Sequence, residues 1–137
     1  MARKKQGQPP AFATGGSWHT RYVMLFCDLL ESQAFINLSS SAKEAYLILM
    51  QEYKGCYTGP RVICPYRTFI EKGMRANTLS RALVMLEVFG FIRIEPGGLA
   101  RQPSIYHLTG GWKDIVTEED VRTAKERFQE RLNNERK

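Results

Sequence analysis

The sharpest hydrophobic pattern in the chain lies between Pro65 and Arg93, and its period changes along the way. Phe69, with Tyr66 and Ile70, gives an apolar side to a short segment, about Pro65–Lys72, that Gly73 stops and Met74 follows. Leu79, Ala82, Leu83 and Leu86 then recur at three- and four-residue intervals, which is one face of a helix over about Ala76–Phe89. Gly90–Phe91–Ile92 opens a β-rich run to Glu95, and a second run, Ser104–Thr109, follows the loop Pro96–Pro103. In that second run Ile105 and His107 share one face, Tyr106 and Leu108 the other. Two short helices about a glycine turn, followed by a hairpin, predict a helix-turn-helix with a β-wing.

The flanks add scaffold. Ser39–Gly55 reads as a helix with a continuous face of Ala42, Ala45, Tyr46, Leu49, Met50 and Tyr53, widened by Leu47 and Ile48. Ser41 and Glu44 have the spacing of a capping box, and Gly55 is placed to end the helix. Arg61–Cys64 is a short β-prone run that can add a strand to the wing. Within the mixed stretch Trp18–Phe35, Tyr22–Phe26 is a strand or the lead into a helix, and Cys27–Ser32 suits a short helix. Thr117–Leu132 is a polar helix capped by Thr117, with Glu118, Glu119 and Asp120 matched to its positive end and Arg122 spaced to pair with Glu118 and Glu126. Its seam of Val121, Ala124, Phe128 and Leu132 is thin, and fits either docking on the domain or dimerisation.

These elements define a mostly α fold with a small β-wing (α+β), a winged helix-turn-helix plus a C-terminal helix. A chain of 137 residues is one domain by length. It divides into a flexible basic arm (1–17), the winged helix-turn-helix (18–112) and a charged C-terminal helix (113–137). No apolar run approaches a membrane span, and no apolar stretch follows the basic Met1–Lys5, so a cytoplasmic place beside nucleoid or plasmid is expected.

Charge sharpens this reading. Of the net charge of +6, residues 1–21 hold four cations and no acid, and residues 61–101 hold seven cations against three acids. Six of those seven are Arg, whose rigid donor fork suits phosphates and guanine edges. Cys27, Cys56 and Cys64 form no CxxC pair and are expected as buried thiols of a reducing compartment. With His19 and His107 they have no metal-ligand spacing, and His107 reads as structural or surface. The P-loop, HExxH and GxSxG patterns are missing, so neither an enzyme nor a cofactor is expected.

At 100° per residue, the side of the second helix opposite its apolar stripe carries Asn77, Arg81, Val84 and Val88, flanked by Ser80, with Arg75, Ala76 and Thr78 at its start. Asn77, Thr78, Ser80 and Arg81 are expected to read base edges in a major groove, with Arg75 near the helix start. Arg67 and Lys72 would touch flanking phosphates, and Arg93 and Arg101 on the wing would meet backbone or minor groove. Outward Val84 and Val88 would instead favour a protein-interaction or assembly module on the same fold.

Three stretches carry a resemblance: Leu29–Phe35 leading to Leu38–Ala42, Asn77–Leu83 with Gly90–Ile92, and Ile105–Thr109. Over about Arg21–Trp112 the chain resembles a winged helix-turn-helix family of bacterial plasmids, phages and integrated conjugative elements. The resemblance implies a DNA-binding domain of the replication-initiator, replisome-organiser or transcription-regulator type. Its implied partners are double-stranded DNA, a second copy, and other replication or transcription proteins. Arg75 stands where many relatives carry a Ser or Thr cap and Ala76 where a Lys or Arg is common, so capping falls to Asn77 or to none.

Overall fold

A computed structural model describes residues 10–15, 21–54, 59–97 and 102–135 of the chain. Their elements run α1 (Cys27–Leu30), α2 (Gln33–Ile36), α3 (Ser40–Glu52), β1 (Arg61–Ile63), α4 (Tyr66–Glu71), α5 (Ala76–Val88), β2 (Ile92–Ile94), β3 (Ile105–Leu108), a 3₁₀ turn (Gly111–Asp114) and α6 (Glu118–Glu135). The fold is mostly α with a small antiparallel sheet and a long last helix, as the periodicity predicts. Tyr22–Phe26 precedes α1 without regular structure. Most of the basic arm, together with Gly55, Cys56 and His19, lies outside the described residues. Within 10–15 the Ala13 N–H donates to the Pro10 carbonyl at 2.9 Å.

The core forms where α3 lies against α5. Ala42, Ala45, Tyr46 and Leu49 meet Leu79, Ala82, Leu83 and Leu86, with Phe69 of α4 and Val62 and Tyr106 of the sheet closing the end. Each such leucine removes roughly 1.5–3 kcal/mol worth of apolar surface from water. Phe91 sits edge-on to Tyr46 at 5.3 Å and stacks on Trp112 at 6.1 Å, which ties the residues after the hairpin to α3.

Both central helices end on the two-bond closure that a glycine past the helix permits. After α4, Met74 N–H donates to Phe69 carbonyl (3.1 Å) and Gly73 N–H to Ile70 carbonyl (3.0 Å), with Gly73 at φ 103°. After α5, Phe91 donates to Leu86 (2.9 Å) and Gly90 to Glu87 (3.2 Å), with Gly90 at φ 86°. Met74 is buried, as a turn residue facing its own core should be, whereas Ile70, about 100° round the short helix from buried Phe69, is exposed.

The sheet order is β1-β3-β2, with Val62 opposite Tyr106 and Arg93 opposite His107. Tyr106 and Leu108 face the core and Ile105 and His107 face outward. Burial pushes the Tyr106 phenol well above its ordinary pKa.

Three expectations need correction. The cap of α3 is Ser39, whose hydroxyl accepts Ala42 N–H at 3.1 Å, and not Ser41; its own N–H reaches Met85 Sδ at 3.3 Å, so contact with α5 selects among three consecutive serines. Cys27 is exposed, because α1 buries none of its residues; Cys64 is buried, and desolvation pushes its thiol up to about 12. Val84 is only 5% exposed and Val88 is half-buried against the core, because α6 packs along this half of α5. Of the two uses left open for the seam of α6, docking on the domain is the one seen within the chain: Val121 and Ala124 are buried, Phe128 packs on the core and Leu132 is half-buried.

Candidate nucleic-acid interface

The start of α5 is open. Arg75 takes the N-cap position with extended backbone and no side-chain cap, so Thr78 N–H is met by Asn77 Oδ1 (2.9 Å) while the helix's first amides keep facing outward. Asn77 thus serves only the amide next to it, and no side chain caps the helix. Arg75, Asn77, Ser80 and Arg81 are exposed and Thr78 half-exposed, all on the first two turns. Ser80 donates to Ala76 carbonyl at 3.3 Å, and its hydroxyl lies 3.4 Å from that of Tyr66, which braces α4 against this surface. Neither Arg75 nor Arg81 has an ion-pair or hydrogen-bond partner for its guanidinium among the described residues. Unengaged arginines beside outward amides and a positive helix end make a surface suited to anions.

Lys72, at the close of α4, donates to the Gln51 side-chain oxygen, and Arg21 donates to the Gln51 backbone carbonyl. Two cations thus converge on the end of α3 next to the α4–α5 turn. Arg21 was passed over in the sequence reading, since nothing local separates it from ordinary surface charge. Arg67 is paired with Glu71 at 3.2 Å; both side chains are well exposed, and such a pair contributes little to stability.

A second group lies on the outer face of the sheet. Register places Arg61, His107 and Arg93 in one row across β1, β3 and β2. Arg61 and Arg93 flank His107, and one carboxylate joins the row: Glu95 Oε1 lies 2.6 Å from His107 Nε2. That hydrogen bond, then the charges of His107, Arg61 and Arg93, hold the Glu95 carboxyl below the usual carboxylate range. Arg61 was missed because an edge strand's facing shows only once its register is known. Arg101 lies outside the described residues.

Between these groups runs a cleft of about 330 Å³, walled by Ser80 and Val84 on α5, by Ile94, Pro96 and Pro103 at the root of the hairpin, and by Arg131 of α6. The site residues of α5 thus follow directly on α4 and its C-cap, which carry Arg67 and Lys72, while Arg93 lies on the outer face of the sheet.

Among the described residues no helix is long and apolar enough to cross a membrane. No known protein family, curated protein or solved structure matches the chain.

Proposed function

We propose that the chain is a winged helix-turn-helix protein that binds double-stranded DNA sequence-specifically. It would act in the bacterial cytoplasm as a transcriptional regulator or replication-associated protein of a plasmid or other mobile element. The observation that carries this reading is the exposed start of α5, where Asn77, Thr78 and Ser80 stand beside Arg75 and Arg81, whose guanidinium groups have no partner among the described residues. In this mechanism the first two turns of α5 enter the major groove. Asn77 and Arg81 match the paired donors and acceptors of adenine and guanine edges, while Thr78 and Ser80 take either. Arg75, Lys72 and the open amides hold phosphates, and Arg67 joins them once it releases Glu71. Arg93 and Arg101 add backbone or minor-groove contacts from the wing.

The test is selection of bound duplexes from a random pool by the full chain, followed by binding of the recovered site to variants. Arg81→Ala should weaken cognate binding and relax preference at one position by about 1–3 kcal/mol. Arg101→Ala should weaken all sequences evenly and lower the salt slope by about one. Wild-type affinity in both variants would show the assigned face to be wrong. A palindromic site favours a dimeric regulator, and direct repeats favour replication or segregation.

A protein-interaction or assembly reading drew on outward Val84 and Val88, which are packed inside the chain. It is now favoured by a different feature, the exposed Tyr22, Met24 and Phe26 ahead of α1. Binding to random-sequence duplex at low salt separates the two, since that reading expects almost none.

A further inference from the structure

Glu87 lies in the last turn of α5, on the half of that helix facing α6, yet its carboxylate joins three elements. One oxygen accepts the Ile94 N–H of β2 at 2.8 Å; the other receives the Arg131 guanidinium of α6 at 2.7 Å. The Glu87 side chain is 22% exposed, so both bonds are partly shielded from water.

The bonding of β2 gives that first contact its meaning. Glu95 N–H donates to Ile105 and Thr109 N–H to the Phe91 carbonyl, so alternate residues of β2 bond to β3 and the Ile94 N–H points to the free edge of the sheet. Glu87 caps that edge. Just beyond it opens the cleft that Val84 lines from α5 and Pro96 and Pro103 line from the root of the hairpin. Beside this cleft the Glu87 carboxylate ties α5 to the edge of β2, and Arg131 holds that carboxylate from α6.

We infer that Glu87 and Arg131 are positioning residues for the DNA contact: they set the angle of the hairpin to α5 and never touch the duplex. The inference rests on the DNA-binding reading above. It gives α6 a role in recognition through Arg131, which no pattern in the sequence singles out.

A thermodynamic cycle tests it, using the full chain and a labelled duplex recovered from the random pool. Arg131→Met keeps the stem and removes the charge; it should weaken binding roughly five- to tenfold. In a chain whose wing contacts are already removed (Arg93→Ala with Arg101→Ala), the same change should cost less than about twofold, because there is no wing contact left to misplace. In an Arg81→Ala background the full factor should persist. Arg131→Lys, which keeps a cation with different reach, runs through the same cycle should Arg131→Met fold poorly. As a readout independent of DNA, the Ile94 amide should exchange faster in Glu87→Ala. An equal loss in both wing backgrounds would mean general weakening of the fold and overturn the inference, as would a folded Arg131→Met chain that binds like wild type. If wild type binds and Arg81→Ala binds more weakly, the DNA reading stands whatever Arg131 does; a wild type that retains no duplex at low salt removes both.

Discussion

At residue scale, two glycines separate backbone strain from crowding. Both end a helix in the left-handed region, but a Cβ on Gly73 would meet nothing within 4 Å, whereas one on Gly90 would lie 2.5 Å from the backbone of Gly111 and Trp112. Gly73→Ala should therefore cost only the conformational penalty, about 1–2 kcal/mol. Gly90→Ala adds roughly 1–3 kcal/mol of forced displacement and should cost about 2–5 in all, read as the separation of their urea midpoints. The helix stops were legible in the sequence because a glycine after an apolar period has few other uses. The approach of Gly90 to Gly111 was not, since it joins residues that no local pattern relates. The cap of α3 shows the same limit: Ser39, Ser40 and Ser41 are equivalent until Met85 takes the amide of one of them.

At the scale of elements, α6 decides how α5 is used. Its start is a reciprocal cap: Thr117 Oγ1 accepts Asp120 N–H at 3.1 Å, and Asp120 Oδ2 accepts the N–H groups of Val116 and Thr117 at 3.0 Å each. The backbone bond from Thr117, then that from Val116 and the Thr117 hydroxyl, hold the Asp120 carboxyl below its ordinary range. A lowered folded-state pKa means stability that is present above the unfolded-state value and lost as pH falls through the folded one. Asp120→Asn should therefore be less stable than wild type at neutral pH, with the two melting temperatures converging in acid. Phe128 packs on the core, so Phe128→Ala should cost roughly 1–3 kcal/mol, below the range for a fully buried aromatic. That loss should be the same at every protein concentration; a melting temperature that rises with concentration would place the seam between copies instead. The sequence exposed the seam but not what fills it. Val84 and Val88 looked outward on a wheel drawn for one helix, and only the arrival of α6 makes that side an inside.

For the whole molecule, the order of helices, turn and hairpin was readable because hydrophobic period and glycine position agreed, and β1 was readable from its β-branched run. The candidate surface was readable at Arg75, Asn77, Ser80 and Arg81, which local helix geometry alone turns outward. Arg21 and Arg61 were not, since tertiary contact and strand register place them. The masking of the later half of α5 has an arithmetic consequence for the proposed reader of DNA. The open stretch from Ala76 to Arg81 advances about 9 Å at 1.5 Å per residue, about three base-pair steps. A word of that length recurs by chance throughout any plasmid. An address found only once must then be spelled by several molecules side by side, with the spacing between their words carrying much of the message.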